Sequence, residues 1–230
     1  MYSNRYIFLY ASAMVIIVAV LLSVAATLLS PLQERNIRIE KMQNILASID
    51  IESTKSDAED VFNKYIVESR VINHKAEKID GDAFEIDLLE ENRKPVEERQ
   101  LPLFIAAIDE DTLYVFPLHG SGLWGPIWGY VSLKSDLNTV KGANFDHTSE
   151  TPGLGAEIAD SQFEDQFKGK KIFDDKGDFR SIKAIRGGAQ PDNPHGVDAI
   201  SGGTITSNGL NDMIENGLKV YKPFFKKLEE

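Results

Sequence analysis

The sequence predicts an α+β fold, a twisted and mostly antiparallel sheet with packed helices, preceded by one N-terminal transmembrane helix. The chain opens with a long apolar run, its middle holds short apolar segments between turn residues, and apolar residues recur at helical spacing near its end. We predict a tail and transmembrane helix at residues 1–30, a helical stalk and the start of the soluble domain at 31–100, and the main domain at 101–230.

Composition excludes several kinds of site. The net charge of −11 argues against a nucleic-acid partner, because nucleic-acid binding needs a basic face. The chain has no cysteine, which excludes disulfides, thiolate zinc sites and cysteine-held iron–sulfur clusters. We also predict no metal site, since no helical or finger-type spacing relates the four histidines, which are His74, His119, His147 and His195.

Residues 7–29 form an apolar run without a charge. As a helix this run is about 30 Å long or slightly more, enough to span a bilayer. Tyr2, Tyr6 and Tyr10 lie near its leading edge, as interfacial aromatic residues do. The run is too long for the core of a signal peptide, and residues 30–32 do not resemble a cleavage site. We therefore predict a retained single span, with Pro31 closing the apolar run.

Basic residues around the span give a weak signal for its orientation. Arg5 precedes the span, whereas Arg35, Arg38 and Lys41 follow it. Counted alone, these charges place the large domain in the cytoplasm. Long domains translocate largely regardless of charge, so the count does not decide the orientation.

Periodicity assigns the segments up to residue 100. Residues 33–49 predict an amphipathic stalk helix, and residues 57–71 predict a second helix with acidic residues in its first turn. Phe84, Ile86 and Leu88 alternate with acidic residues, which predicts a strand. Residues 90–100 are rich in Glu and Arg and predict a solvated surface loop.

From residue 101 onward the pattern favours strands. Residues 103–108 and 113–116 predict two short strands around an acidic turn at 109–111. The next stretch, 118–133, contains four glycines and both tryptophans. Glycine permits close backbone approach, and tryptophan offers a flat aromatic surface. Two interpretations remain open for this stretch, a core turn with packed indoles and one wall of a cofactor pocket.

Residues 146–157 predict a loop, because Pro152 and Gly153 form a turn signal. His147 and Glu150 are three residues apart, a spacing that pairs side chains only on a helix, so we assign them no metal or acid–base role. Residues 163–167 then predict a short helix, and residues 179–184 predict a strand. In the loop at 187–196, His195 is either a surface residue or a neighbour of a phosphate.

Residues 198–207 read D-A-I-S-G-G-T-I-T-S and lead into a helix predicted from Asn208 to near Tyr221. A glycine pair lets backbone N–H groups approach a ligand. A loop that enters a helix N-terminus offers free N–H donors and the positive end of the helix dipole, which suits a phosphate. The alternative is a simple turn with Ser207 as the helix N-cap. The amphipathic tail at 224–227 either packs on the domain or touches the membrane.

The same stretch resembles the flavinylation motif of the covalent FMN-binding domain family. The matching residues are Asp198, Ser201, Gly202 and Thr204. In that family a transferase joins FMN to the last threonine of the motif through a phosphoester, which implies Thr204 as the acceptor and Asp198 as part of the transferase's recognition. Gly203 stands where the family usually has alanine, and Thr206 is the fallback acceptor.

Residues 150–155 read E-T-P-G-L-G, which resembles a stretch typical of the same family. This resemblance implies that Leu154 contacts the isoalloxazine ring while Thr151 and the loop amides donate or accept hydrogen bonds. Together with the Gly/Trp stretch and the span, the motifs resemble the C subunits of Na+-translocating NADH:quinone oxidoreductases more closely than the related G subunits of Rnf complexes. The alternatives from other classes are a membrane-anchored non-redox binding protein and an assembly factor without a cofactor.

The resemblance implies an electron-carrying subunit of a membrane translocase, whose covalent FMN relays electrons from NADH toward quinone in a process coupled to Na+ transport. The isolated chain is expected to have no catalytic residue of its own. The expected partners are the other subunits, a flavin transferase and the bacterial inner membrane, with the flavin domain at 101–230 on the periplasmic side. The implied cofactor-binding residues are Thr204, Ser201, Gly202, Gly203, Ile205, Glu150, Thr151, Gly153, Leu154, Gly155 and Trp124.

Overall fold

The computed structural model describes residues 3–109 and 111–229, which form helices around an antiparallel sheet. The helices are α1 (Asn4–Ser48), α2 (Ala58–Tyr65), α3 (Leu88–Arg93), α4 (Ser161–Glu164), α5 (Thr204–Lys219) and α6 (Lys222–Glu229). The strands are β1 (Ile66–Ile72), β2 (Lys78–Ile79), β3 (Leu101–Ile108), β4 (Asp111–Ser121), β5 (Pro126–Leu133), β6 (Val140–His147), β7 (Lys183–Ile185) and β8 (Gly196–Asp198). Short 3-10 turns lie at Val96–Glu98, Gly155–Ala159 and Asp165–Phe167.

Six strands form the main sheet in the order β2-β1-β3-β4-β5-β6. Every neighbouring pair in this sheet is antiparallel, and β7 and β8 form a separate parallel pair. Helix α5 packs along β4, where Met213, Ile214 and Leu218 of the helix join the buried core. The predicted α+β class with a mostly antiparallel sheet is confirmed.

Helix α1 combines the predicted span and the predicted stalk in one element of 45 residues. Its apolar part is the one helix in the described chain that is long and apolar enough to cross a membrane, with a mean hydropathy of 2.7 over its best window. Pro31 ends the apolar run but lies inside the helix. The described chain divides into two compact units, residues 1–40 and 41–230.

The last turns of α1 belong to the core of the second unit. Met42, Ile45, Leu46 and Ile49 are between 0% and 5% exposed. The Ser132 hydroxyl of β5 donates a hydrogen bond of 2.5 Å to the Ser48 carbonyl. The end of this helix is therefore held by apolar burial and by a buried hydrogen bond to the sheet.

The prediction of one helix over residues 57–71 was wrong in its second half. Helix α2 ends at Tyr65, and Ile66 is already extended, with φ −87° and ψ 104°. Strand β1 then pairs with β3, with Val71 opposite Pro102. The β-branched residues of this segment suit a strand, and pairing with the buried β3 outweighs the helical periodicity.

Two further predictions before residue 100 were wrong. The expected strand at 84–88 is absent from the described structure, because the Asp87 side chain accepts hydrogen bonds from the amides of Leu89 and Glu90 and so caps α3. The expected loop at 90–100 includes the second part of α3 and a 3-10 turn. Within it Glu91 is only 6% exposed and accepts hydrogen bonds from the Gln100 amide and the Lys94 ammonium.

The hairpin predicted around residues 109–111 is confirmed as β3 and β4, with Ile108 paired to Asp111. Glu110 lies outside the described residues. Strand β6 was not predicted, because Gly142 and Asn144 interrupt its apolar alternation. It forms because β5 pairs with it on one side and residues 155–167 pack against it.

The C-terminal part differs from the prediction in where its helix begins. Helix α5 starts at Thr204, and its N-cap is Gly203, so Ser207 is a buried helical residue rather than the cap. Of the two predicted positions for the tail, packing on the domain is correct, since Phe224 and Phe225 are 4% and 1% exposed. The buried Tyr221 hydroxyl donates a 2.7 Å hydrogen bond to the Pro102 carbonyl.

A partly buried carboxyl, that of Glu164, lies beside β6. Glu164 accepts hydrogen bonds from the Phe145 amide at 2.6 Å and from the Asn144 side chain at 3.2 Å. Burial raises the pKa of Glu164 to about 7, and the nearby charges of Asp165 and Asp146 act in the same direction. The folded protein therefore favours the protonated form of this group.

We predict that Leu46→Ala lowers the free energy of unfolding by about 2–5 kcal/mol, because it leaves a cavity in the core. The matched control is Ile37→Ala on the same helix, where the side chain is 54% exposed. This control is expected to change stability by about 0.5 kcal/mol or less. Denaturant unfolding of the full chain in detergent measures both values, and equal effects of the two variants would contradict the packing described.

We predict that Glu164→Gln removes a pH dependence of stability. The folded-state pKa of about 7 lies above the ordinary 4.5. The contribution of Glu164 to the stability of the fold is therefore complete below pH 4.5 and is lost as the pH rises through 7. The variant should therefore be more stable than wild type at pH 8 and closer to it at pH 4.5. Thermal unfolding across this pH range measures the difference, and parallel curves for both proteins would refute the prediction.

Candidate functional site

Three segments that are distant in sequence meet at one small cavity. They are the turn between β4 and β5, the loop between β6 and the following 3-10 turn, and the loop that leads into α5. The cavity has a volume of about 210 Å³. Its lining residues are Leu123, Glu150, Thr151, Leu154, Gly155, Gly202, Gly203, Thr204, Ile205 and Thr206.

The cavity brings together most of the residues predicted to bind a cofactor. Ser201, Gly153 and Trp124 are the three predicted residues that do not line it. Trp124 is 65% exposed, so its indole is not a packed core side chain, and it is not among the residues that line this cavity. Leu123, the residue before it, lines the cavity and was not predicted. Nothing in the sequence of this turn indicates which of the neighbouring residues Leu123 and Trp124 lines the cavity.

The first turn of α5 opens at the cavity. Gly203 is the N-cap and provides no side-chain cap, and Thr204 is the first helical residue. The first amides of a helix lack partners within the helix and carry the positive end of its dipole. Thr204, Ile205 and Thr206 all line the cavity, so this terminus is suited to an anionic group.

The loop before α5 needs glycine at residue 202. Gly202 has a φ of +75°, a left-handed conformation that other residues rarely adopt. A side chain there would also approach Leu154, whose Cδ2 atom would lie 2.5 Å from a Cβ. Glycine therefore lets the loop leading to Thr204 pass directly beside the loop at 150–155.

Glu150 connects all three segments. Its Oε1 atom accepts a 2.8 Å hydrogen bond from the Trp124 amide, and its Oε2 atom accepts a 2.5 Å bond from the Thr206 hydroxyl. The Glu150 amide donates to Nδ1 of His147 over 3.3 Å. The side chain is buried, with the residue only 5% exposed, and the turn, the loop and the helix terminus thus share one polar centre.

The hydrogen bonds hold Glu150 in its charged form. Burial opposes ionisation, but donation from Thr206 and from the Trp124 and Leu123 amides, together with the charge of His147, lowers the pKa of Glu150 below its ordinary value. A Cβ on Gly155 would overlap both the Glu150 carboxylate and the Thr206 hydroxyl. The backbone of the loop therefore closes directly over this pair.

The two candidate acceptor hydroxyls lie in different environments. Thr204 is exposed, and its side chain makes no hydrogen bond with any residue in the described ranges. Thr206 is 1% exposed, and its hydroxyl is bonded to Glu150. Two residues along an α-helix differ by roughly 200° in direction, which explains how one side chain is open and the other buried.

Two residues of interest lie outside the cavity. The Asp198 carboxylate accepts a 2.7 Å hydrogen bond from the Ala189 amide, and Asp198 ends β8 just before the loop. Nδ1 of His195 contacts the Lys171 carbonyl at 2.6 Å, and His195 is not among the lining residues. In the part of the chain that is described, no group of three or more His, Asp or Glu residues could hold a metal ion.

Apolar side chains surround the opening of the cavity. Leu123, Leu154 and Ile205, which line it, are between 41% and 56% exposed. The volume of about 210 Å³ is below the roughly 300–1,000 Å³ of typical small-molecule pockets. The arrangement can therefore hold an anionic group at the helix terminus and one edge of a flat apolar group, while the rest of a larger ligand remains outside.

Comparison with known proteins agrees with this geometry. The FMN-binding domain family matches residues 122–219, a range that contains every lining residue of the cavity. The C subunit of the Na(+)-translocating NADH-quinone reductase of Vibrio anguillarum is 32% identical over 238 residues, covering 95% of this chain and 92% of the relative. The corresponding protein of Yersinia pestis is 40% identical over 121 residues, covering 50% of this chain and 44% of the relative.

Solved structures give the same result. The crystal structure of the Na(+)-translocating NADH-quinone reductase C subunit from Parabacteroides distasonis superposes with a TM-score of 0.80 at 44% identity, covering 86% of this chain and 96% of that one. The NqrC structure from Shewanella oneidensis gives a TM-score of 0.71 at 30% identity, covering 86% of this chain and 98% of that one. The chain belongs to the family of C subunits of the Na(+)-translocating NADH-quinone reductases.

Proposed function

We propose that this chain is the electron-carrying flavoprotein subunit of a Na+-translocating NADH:quinone reductase, with FMN attached to Thr204 through a phosphoester. Membership of the C-subunit family and the match to the FMN-binding domain support the cofactor and the complex. The exposed and unbonded Thr204 hydroxyl at an uncapped helix terminus is the observation that carries the covalent attachment.

The phosphate fits the first turn of α5. The amides of Thr204, Ile205 and Thr206 are the orphan donors of this helix, and an anionic phosphate next to them is stabilised by the helix dipole. Gly202 and Gly203 keep the approach to these amides free of side chains. Thr206 is a poor acceptor by comparison, because its hydroxyl is buried and donates to Glu150.

The flavin ring fits the apolar opening. Leu154 and Ile205 offer exposed apolar surface beside the cavity, and Leu123 covers the side nearest β4 and β5. Thr151 and the amides of its loop lie where they can hydrogen-bond the ring or the ribityl chain. Because the cavity is too small to enclose the whole cofactor, these residues orient the flavin while leaving part of the ring accessible to another carrier.

Bound FMN supplies electron transfer, because it accepts and releases single electrons. This chain binds and orients it, and we assign no catalytic residue to the chain itself. Electrons are expected to pass from NADH through other subunits to this flavin and on toward quinone, coupled to Na+ transport. A flavin transferase is the partner during maturation, and Asp198 on the exposed end of β8 is available for its recognition.

Helix α1 is proposed to anchor the protein in the bacterial inner membrane as a single span. Its length and hydropathy suit a bilayer. We place the flavin domain on the periplasmic side, as the family resemblance implies. Covalent attachment is useful there, since a flavin lost outside the cytoplasm could not be replaced.

We predict that co-expression with a flavin transferase increases the mass of the wild-type chain by FMN less one water. Thr204→Ala should abolish this increase, because it removes the acceptor oxygen. Thr206→Val is the matched control and should retain the adduct, since that hydroxyl is buried and bonded to Glu150. Intact-mass spectrometry of the denatured chains measures all three.

The outcomes of this experiment distinguish a different acceptor residue from the absence of a covalent flavin. An adduct that persists in Thr204→Ala and disappears in Thr206→Val would move the acceptor to Thr206. An unmodified wild-type chain, with a transferase shown to modify a control substrate, would refute the covalent flavin and favour a membrane-anchored binding protein.

We predict that a cysteine at the exposed residue Asp175 reacts with a membrane-impermeant maleimide in intact cells. The chain has no native cysteine, so labelling reports only the introduced thiol. Asn4→Cys, before the span, is the control and should react only after the membrane is permeabilised. Labelling of Asn4→Cys but not of Asp175→Cys in intact cells would place the domain in the cytoplasm.

A further inference from the structure

Glu150 carries a charge that its hydrogen bonds alone do not require. Its partners are the Trp124 and Leu123 amides, which donate, and the Thr206 hydroxyl, which can both donate and accept. A glutamine has the same shape, and its amide oxygen and nitrogen could satisfy these same partners. A buried charge is unfavourable compared with a neutral group that makes the same contacts. These hydrogen bonds therefore do not by themselves account for a negative charge at this position.

The position of the charge indicates what its role is. Glu150 lines the cavity of about 210 Å³, so a group that enters the cavity comes close to the carboxylate. The residue is only 5% exposed, and solvent therefore screens its charge weakly. An electron that reaches a flavin bound at this cavity comes from an upstream carrier, which is oxidised. The flavin gains a negative charge unless a proton accompanies the electron.

We propose that the ionised carboxylate of Glu150 lowers the reduction potential of the flavin whose phosphate lies in this cavity and whose ring lies at its opening. This inference rests on the proposed function. Two like charges in a poorly screened site repel each other, so the carboxylate disfavours the added electron. Glu150 acts through space on the cofactor and is not itself reduced or oxidised.

Three other titratable residues lie near Glu150 in the described chain, and they are His147, Glu157 and Asp146. His147 faces it from the end of β6, where its Nδ1 accepts the Glu150 amide. Glu157 belongs to the 3-10 turn after the loop and accepts a 2.8 Å hydrogen bond from the Gly153 amide. Asp146 precedes His147 on β6, while the first turn of α5 and residues 122–125 contain no titratable side chain.

The test is a spectroelectrochemical titration of the flavin-loaded full chain at pH 8, with dithionite as the reductant. Glu150→Gln should favour the reduced flavin by about tenfold, equivalent to about 59 mV for one electron. Glu157→Gln is the matched control, a neutralised carboxylate in the same region, and should change the equilibrium less than about twofold because solvent screens it more.

Thr206→Val provides a second measurement with the opposite sign. It keeps the carboxylate but removes its 2.5 Å hydroxyl donor, so the charge is less compensated and the potential should fall. A purely structural role for Glu150 would not predict opposite shifts in the two variants. If Glu150→Gln fails to fold, Thr206→Val alone decides.

Several results would overturn the inference. One is a redox equilibrium of the flavin that stays within twofold of wild type in both Glu150→Gln and Thr206→Val. Another is a lower reduction potential in Glu150→Gln. The third is a shift of the potential in Glu157→Gln equal to that in Glu150→Gln. A wild-type chain without flavin is a different result and would contradict the proposed function itself. Flavin content, measured on the same samples before titration, distinguishes the two cases.

Discussion

The candidate site depends on one buried carboxylate. Glu150 accepts hydrogen bonds from the Trp124 amide of the β4–β5 turn and from the Thr206 hydroxyl of α5. These two segments and the loop that carries Glu150 itself are far apart in the sequence. Because a buried charge must keep its partners, any arrangement that separates the segments would leave Glu150 unsatisfied. The polar centre thus fixes the shape of the cavity above it.

The sheet fixes where that centre lies. Gly122, directly after β4, lies against the Glu150 carboxylate, and α5 packs back along the same strand with Gly209 close to the Ser121 carbonyl. The start of the helix is consequently held at the end of the strand. Within its first turn, helical geometry separates Thr204, which is open, from Thr206, which is buried. The scaffold therefore exposes the Thr204 hydroxyl and buries the Thr206 hydroxyl.

Sequence reasoning reached much of the fold and of the site, where short motifs carry strong local signals. Glycine and hydroxyl residues at 198–207 and the E-T-P-G-L-G stretch predicted segments that line one cavity. It failed where tertiary pairing decides the outcome, as at Ile66, which extends because β3 is available to pair with it. It also missed Leu123, since which side chain of a turn points inward depends on the turn's contacts rather than on residue type.

The edges of the sheet restrict how this domain can associate with other chains. Strand β2 has only two residues, and along the opposite edge the Phe145 amide of β6 is already bonded to Glu164 while Val140 exchanges backbone hydrogen bonds with Gly169 and Lys170. Short or occupied edges resist the addition of a strand from another molecule. At the β6 edge, association with the other subunits is therefore expected to use side-chain surfaces and loops, which leaves the backbone of the sheet undisturbed when a partner binds or dissociates.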